Sequence, residues 1–254
     1  MPSTTPLPAT AIVTGGARRI GAAIVRALAE DGWHVLIHCQ DSREEAEALV
    51  ADIGNARVVT ADLADPAAPV AIIGAASEMP PLRLLVNNAS RFVHDDVGGF
   101  DAADWDAHMA VNARAPVLLA RDFANRSAGK GALVVNLLDA KLSAPNPDFF
   151  SYTLSKMALA DATELLARAL APQGIRVCAI APAVTLRSGE QSEANFQAVH
   201  KLNPLRQGVE PGHIVAALRY LIASPALTGQ TITIDAGQRF LGLSRDVQFL
   251  EGKS

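Results

Sequence analysis

The stretch TGGARRIG, Thr14 to Gly21, follows a short apolar run and precedes residues whose apolar spacing is that of a helix. Glycines in a turn between a strand and a helix let the backbone approach a phosphate, and the amides that open the helix point at that phosphate. Gly15, Arg19 and Ile20 are therefore predicted to line a dinucleotide site. Arg19 is unusual there, because such turns usually carry their second glycine at this position.

Runs of apolar and β-branched residues alternate with helical patterns along the whole chain. The predicted strands lie at 9–14, 33–39, 56–63, 82–90, 131–139, 175–182 and 229–237, and the predicted helices at 19–31, 42–53, 66–76, 152–171 and 211–221. Continuously apolar strands predict a sheet buried on both faces, and their alternation with helices predicts right-handed βαβ units. Residues 1–254 are accordingly expected to form a single α/β domain, a Rossmann-type doubly wound parallel sheet of about seven strands flanked by helices.

Three other segments carry structural predictions. Ser42 and Glu45 have the spacing of an N-cap and capping box for the second helix. The long stretch at about 183–210, polar and poor in helix pattern in its first half, is predicted to be a substrate lid. The tail LGLSRDVQFLEGKS, 241–254, contains apolar residues that would either cap the substrate pocket or pack on a neighbouring subunit.

Composition narrows the class of protein. Hydrophobic residues make up 50% of the 254 residues, and the formal net charge is −4. Scattered basic residues give no electrostatic footprint for nucleic acid or acidic membranes. Cys39 and Cys178 lie in apolar runs and are predicted to be core residues, without a disulfide or metal-ligand spacing. The chain shows neither a signal-peptide pattern nor a bilayer-spanning run, so a cytoplasmic protein without a metal, nucleic-acid or membrane partner is expected.

Further motifs occur in order after the glycine turn: ADL at 61–63, NNA at 87–89, Asn112 in VNARAP, Tyr152-x-x-x-Lys156, and APA at 181–183. Together with the turn they resemble the short-chain dehydrogenase/reductase family over nearly the whole chain. The turn and the resemblance imply a cofactor site whose residues are Gly15, Arg18, Arg19, Ile20, Ser42, Arg43, Asp62, Leu63, Asn88, Ala89, Ser90, Lys156, Pro182 and Val184. The resemblance also implies a homotetramer.

Tyr152 and Lys156 lie four residues apart, so their side chains share one face of the predicted helix. An ordinary exposed pair would have the same spacing. As a catalytic pair, the Lys156 cation would lower the pKa of the Tyr152 phenol so that it delivers a proton near neutral pH. The family resemblance implies that Lys156 also holds the nicotinamide ribose and that Asn112 supports a water relay to it, although a helical asparagine can equally be structural.

Asp139 stands where the family places a serine that faces a substrate carbonyl. A carboxylate there would oppose the negative charge that develops on a carbonyl oxygen during hydride addition. It suits a C=N bond instead, because the nitrogen must gain a proton, which an Asp139–Tyr152 pair can relay. A solvated loop aspartate, with Ser143 as a shifted serine, is the alternative.

Arg19, the run NNAS and Asp139 together resemble a subgroup, the pteridine reductases and dihydromonapterin reductases. This resemblance implies that Arg19 contacts cofactor phosphate and approaches the pterin, while the pterin stacks between the nicotinamide and Phe92, beside Ser90. The implied substrate-binding residues are Arg19, Ser90, Phe92, Asp139 and Tyr152. Core packing after a strand is the other interpretation of Phe92.

The end of the second strand bears on the choice of cofactor. No acidic residue occurs at His38 to Gln40, where a carboxylate would bind the ribose 2′-hydroxyl of NAD. Arg18, Ser42 and Arg43 would form a 2′-phosphate site, so NADP(H) is favoured over NAD(H). Asp41, however, stands where related enzymes have an arginine, which leaves NAD open.

These observations lead to an expected function. The sequence predicts an NADPH-dependent reductase of a pterin-type substrate, a dihydropterin with dihydrofolate as a further possibility, in which Tyr152, assisted by Asp139 and Lys156, supplies the proton. A carbonyl or keto-acyl reductase of the same family is the first alternative. A dinucleotide-binding regulator without turnover is the second.

Overall fold

The computed structural model describes residues 8–127, 129, 131–187 and 191–250. Its strands are β1 (Thr10–Val13), β2 (His34–Cys39), β3 (Ala56–Thr60), β4 (Leu82–Asn87), β5 (Ala132–Leu137), β6 (Ile175–Pro182) and β7 (Thr231–Ile234). Within the described residues these strands form one parallel sheet in the order β3-β2-β1-β4-β5-β6-β7. The predicted fold class, a Rossmann-type α/β domain with a seven-stranded parallel sheet, is confirmed.

Helices connect the strands. They are α1 (Arg19–Glu30), α2 (Arg43–Ile53), α3 (Ala68–Ala75), α4 (Ala102–Met109), α5 (Ala115–Arg126), α6 (Phe150–Leu170), α7 (Glu193–His200) and α8 (Pro211–Ala223). A π-helical segment, Ala110–Arg114, joins α4 to α5, and four short 3-10 turns lie at Ala140–Ser143, Ala171–Gln173, Gln238–Leu241 and Val247–Phe249.

The sheet is covered on both faces, as continuous apolar strands require. One core contains Ile24 of α1 and Ile214 of α8, and the other contains Ile72 of α3 and Phe123 of α5. Successive residues of each strand point to opposite cores, because the side chains of a strand alternate. Cys39 and Cys178 are buried free thiols, as their apolar runs predicted.

The sequence predicts no helix between the fourth and fifth strands, but α4 and α5 lie there. Pro116 stands near the start of α5, and the π-helical segment before it breaks the 3.6-residue spacing that marks a helix. The expected lid at 183–210 contains α7, and its residues 188–190 lie outside the described residues. Tail residues 251–254 also lie outside them.

Two further observations, on membrane-spanning helices and on metal sites, concern the described residues alone. They contain no helix that is both long and apolar enough to cross a membrane. They also bring together no group of three or more histidine, cysteine or acidic residues suited to hold a metal ion.

Candidate active site

A cavity of about 610 Å³ opens at the carboxyl ends of β1, β2, β4, β5 and β6. Ligands of doubly wound sheets bind at this edge, where the strand order reverses, here between β1 and β4. The predicted site residues that line the cavity are Gly15, Arg18, Arg19, Ile20, Leu63, Asn88, Ala89, Ser90, Phe92, Asp139, Tyr152, Lys156, Pro182 and Val184. Four others, Ser42, Arg43, Asp62 and Asn112, are not among the residues that line it.

The glycine turn follows β1 and is fixed from the neighbouring strand. Asn88, after β4, donates from Nδ2 to the carbonyl oxygens of Thr14 at 2.8 Å and Gly15 at 3.0 Å. Gly15 has a left-handed φ of 60°. A Cβ on Gly21 would lie only 2.1 Å from the Gly15 carbonyl oxygen, so a side chain cannot be accommodated there. The close packing keeps the first amides of α1 at the cavity.

Arg19 is the first residue of α1 and has a φ of 55°, a left-handed conformation that is uncommon outside glycine. Its guanidinium donates from Nη1 to the carbonyl oxygen of Arg187 at 2.6 Å and from Nη2 to that of Leu186 at 3.3 Å. Arg19 therefore connects the glycine turn to the loop that follows β6. The expected contacts with phosphate and substrate remain predictions.

Tyr152 and Asp139 form a hydrogen-bonded pair inside the cavity. The first turn of α6 carries Tyr152, whose Oη donates to Asp139 Oδ2 at 2.9 Å, and Oδ1 of the same carboxylate accepts from the Lys141 amide at 2.8 Å. Burial raises the pKa of the Asp139 carboxyl. Burial, together with the nearby Asp139 charge, raises the pKa of the Tyr152 phenol well above its usual value. The raised pKa of the phenol keeps Tyr152 protonated at neutral pH.

Lys156 lies one turn further along α6 and is buried. Its Nζ donates to the Leu137 carbonyl oxygen at 2.8 Å and lies 5.8 Å from the centroid of the Tyr152 ring. Burial lowers the pKa of Lys156 to about 8. The expectation that this cation lowers the pKa of Tyr152 is wrong for this structure, because burial and the Asp139 carboxylate dominate the environment of the phenol.

Asn112 lies in the π-helical segment and is fully buried. Its Oδ1 accepts from the Arg91 amide at 2.8 Å and from Ser90 Oγ at 3.2 Å, and its Nδ2 donates to Ser155 Oγ at 3.0 Å. Asn112 thus ties the segment after β4 to α6, which carries Tyr152 and Lys156. Its predicted part in a water relay remains a prediction.

Phe92 lines the cavity and is 39% exposed, so it is not a core residue. Its ring stacks on Phe149 with centroids 4.2 Å apart and meets Tyr152 edge-on at 4.6 Å. Phe149, which immediately precedes α6, was not predicted, and its φ of 52° places it in the left-handed region. The rings of Phe92 and Phe149 therefore form an aromatic cluster beside the Tyr152 ring.

The arginine side chains expected to bind a 2′-phosphate form ion pairs with glutamates in this structure. Arg18 forms an ion pair with Glu45, and Arg43 Nε pairs with Glu47 Oε1 at 2.7 Å. Ser42 precedes α2 but makes no side-chain capping bond. The predicted capping box is therefore wrong, because the Glu45 carboxylate pairs with Arg18 across the space between two helices.

Asp62, predicted to bind the cofactor, does not line the cavity, whereas His38 lies at the end of β2 as the sequence indicated. Asp62 Oδ1 accepts from the Ala64 amide at 2.8 Å and turns the chain after β3. His38, at the end of β2, lines the cavity with Gln40, and its Nδ1 accepts from the Gly15 amide at 3.3 Å. Burial lowers the pKa of His38, so the ring is neutral.

Many further lining residues were not assigned to the site from sequence, and most of them lie outside the motifs. They are Gly21, His38, Gln40, Val111, Leu137, Leu138, Ala140, Lys141, Ala144, Asn146, Ala183, Thr185, Leu186, Gln191, Gln238, Arg239, Leu243, Asp246, Val247 and Gln248. The last four belong to the tail, which lies against the cavity of its own chain. Part of the tail therefore lies at the pocket, and packing on a neighbouring subunit stays a prediction.

Comparison with known proteins agrees with this geometry. Residues 9–197 match the family model described as short chain dehydrogenase. The FolM alternative dihydrofolate reductase 1 of Brucella suis, solved in complex with NADP, is 45% identical with a TM-score of 0.87, over 91% of this chain and 95% of that one.

Two curated relatives extend the comparison. Galactitol 2-dehydrogenase (L-tagatose-forming) of Cereibacter sphaeroides is 34% identical over 90% of this chain and 94% of its own length. Pteridine reductase 1 of Leishmania tarentolae is 28% identical over 92% of this chain and 98% of its own. The match to the family model, the fold and the residues at the sheet edge lead to one conclusion: the chain belongs to the short-chain dehydrogenase family.

Proposed function

We propose that the protein is an NADPH-dependent reductase of a pterin-type substrate, a dihydropterin such as dihydromonapterin or dihydrobiopterin. The observation that carries the proposal is the 2.9 Å hydrogen bond between Tyr152 Oη and the Asp139 carboxylate inside the cavity. The similarity to a FolM dihydrofolate reductase and to a pteridine reductase supports the same substrate class and makes dihydrofolate a second substrate to test.

The residues at the sheet edge fit a dinucleotide. The close-packed glycine turn and the amides that open α1 would hold the diphosphate, and Lys156 Nζ would reach the nicotinamide ribose. NADP(H) is favoured over NAD(H) because His38 and Gln40, rather than a carboxylate, line the cavity at the end of β2. Similar solved structures in complex with NADP support this choice. When bound, the cofactor supplies the hydride.

The protein's own part of the chemistry is the delivery of a proton. Tyr152 stays protonated at neutral pH because its pKa is raised, and its Oη can donate to a substrate nitrogen as the adjacent carbon of the C=N bond receives the hydride. Asp139, whose pKa is also raised, can pass a proton to Tyr152 and take one from solvent. One hydride and one proton convert C=N to CH–NH.

The decisive assay measures NADPH oxidation against dihydropterins, dihydrofolate and simple ketones. We expect turnover with at least one dihydropterin, and a loss of about 100-fold in that turnover for Asp139→Ser, within the range for removal of an acid–base group. Ser143→Ala is the control for the alternative serine and should leave turnover unchanged. A protein that reduces only ketones would contradict the proposal.

A reductase of ordinary carbonyl compounds is the second candidate, favoured by the similarity to galactitol 2-dehydrogenase. In that case Asp139→Ser should retain or improve ketone reduction, because a serine hydroxyl donates to the developing oxyanion while a carboxylate opposes it. The two candidates thus predict opposite responses to one substitution.

A further inference from the structure

The C-terminal segment Leu243–Phe249, hereafter the tail wall, is anchored beside the cavity by a buried carboxylate. Asp148 Oδ1 and Oδ2 accept hydrogen bonds from Arg245 Nε at 2.9 and 2.8 Å. Oδ2 also accepts from the Asp246 amide at 2.7 Å. The Asp148 side chain is only 6% exposed, and these partners hold its pKa below the usual value. Val247 is also buried. The tail wall is therefore a fixed part of the pocket.

Asp246 is the charged residue that the tail wall contributes to the cavity lining. Its Oδ1 accepts from the Gln248 amide at 3.1 Å, and its Oδ2 lies 3.5 Å from Lys141 Nζ, which also donates to the Asp148 carbonyl oxygen. A carboxylate offers about four acceptor positions, so these partners leave acceptor capacity on Asp246. The side chain is 19% exposed.

A second carboxylate, that of Asp139, lines the same cavity. The charge of Asp246 reaches the Tyr152–Asp139 pair, since it adds to the rise in the pKa of both groups. A pocket with carboxylates on two lining residues suits a ring that carries N–H donors.

We propose that Asp246 is a specificity-determining residue whose carboxylate accepts an N–H of an amino-substituted nitrogen heterocycle held in the cavity. The proposal rests on the proposed function and names a recognition residue for it. A simple ketone has no N–H to offer, so it would leave the Asp246 carboxylate without that partner and lose affinity. Phe92, which lines the cavity and is itself stacked on Phe149, would hold the face of the same flat ring.

Asp246→Asn tests the proposal, because the amide keeps the size of the side chain and an oxygen for the Gln248 amide. We expect KM for the dihydropterin to rise about 10-fold with kcat nearly unchanged, the usual cost of losing a charged hydrogen bond. KM for a ketone should not rise. Asp246→Ser, which can still cap the 3-10 turn, serves as a second variant if the amide disturbs folding.

Asp101→Asn is the matched control. The Asp101 carboxylate caps α4 by accepting the Asp104 amide at 2.7 Å, as Asp246 caps its own turn, and Asp101 does not line the cavity. KM for both substrates should be the same in this variant and in the natural protein. A similar rise in KM for Asp101→Asn would overturn the role assigned to Asp246.

A binding measurement separates the recognition role of Asp246 from the proposed function. It follows by fluorescence the equilibrium binding of 7,8-dihydropterin to the protein–NADP⁺ complex. If the natural protein reduces dihydropterin and Asp246→Asn binds it as tightly, the role of Asp246 is wrong and the proposed function stands. If the natural protein binds dihydropterin without reducing it, the proposed function fails, and weaker binding by Asp246→Asn still supports the recognition role. If it neither binds nor reduces dihydropterin, both are wrong.

Discussion

The two halves of the cavity are built in different ways. The cofactor half consists of the glycine turn at 14–21 and the ends of β1, β2 and β4, which the sheet places side by side. The substrate half combines Phe92, Asp139 and the tail wall, which are far apart in sequence, and Phe149 packs behind Phe92. A local turn and parallel strands position the first half, whereas the second depends on long-range side-chain contacts such as Asp148 with Arg245.

This difference implies that the substrate half can be disabled without loss of the cofactor half. Tyr152→Phe removes the proton donor and keeps the ring that packs on Phe92. We expect the turnover number to fall about 100- to 10,000-fold, the range for a general acid. NADPH affinity, measured by fluorescence titration, should be unchanged.

Tyr220→Phe is the control for this variant, since Tyr220 is 57% exposed and lies on α8, away from the cavity. It should retain full turnover. Undiminished turnover in Tyr152→Phe would exclude the proposed chemistry.

Lys156 lies between the two halves and gives the next prediction. Its pKa of about 8 means that the side chain is charged below that pH and neutral above it. Tyr152 remains protonated across this range, because its pKa is raised. Because the charged form of Lys156 is the one assigned to assist the proton step, we expect kcat/KM for reduction to be level below pH 8 and to fall up to about 10-fold per pH unit above it. Steady-state rates at saturating NADPH test this, and a profile that stays level well above that pH would contradict it.

The smallest expected effect concerns the cofactor half. The left-handed φ of Arg19 disfavours any side chain but not glycine, so Arg19→Gly should be more stable than Arg19→Ala by about 1 kcal/mol. Both variants lose the bonds to Leu186 and Arg187 and differ only in the Cβ. Urea unfolding of the pair measures the difference. Equal stabilities would mean that the left-handed conformation carries no such strain.

The contrast between the halves also explains which features were predictable from sequence. Tyr152 and Lys156 were found because one helix turn fixes their spacing, and Asp139 was found because its position is counted from the same tyrosine. Ser42 and Arg43 were placed in the cavity because they follow the second strand. Nearness in sequence does not give the direction of a side chain, and Arg43 turns to Glu47.

Asp246 and Phe149, in contrast, were not found from the sequence. Neither belongs to a recognisable pattern. Phe149 lies just before α6 and stacks on Phe92, whereas Asp246 reaches the site only because the chain folds back over a long separation. Asp246 pairs with Lys141 across more than a hundred residues of sequence, which no local spacing can reveal. The seven-stranded sheet, in contrast, followed directly from the apolar runs.

The position of the tail wall has a consequence for how the protein is made. The last strand of the sheet, β7, ends at Ile234, and Leu243–Phe249 follows it in the chain. A ribosome therefore synthesises the whole sheet and the glycine turn before it adds Asp246. Because chains begin to fold from their N-terminal side during synthesis, the nascent protein can acquire its nucleotide-binding surface before its substrate pocket is closed.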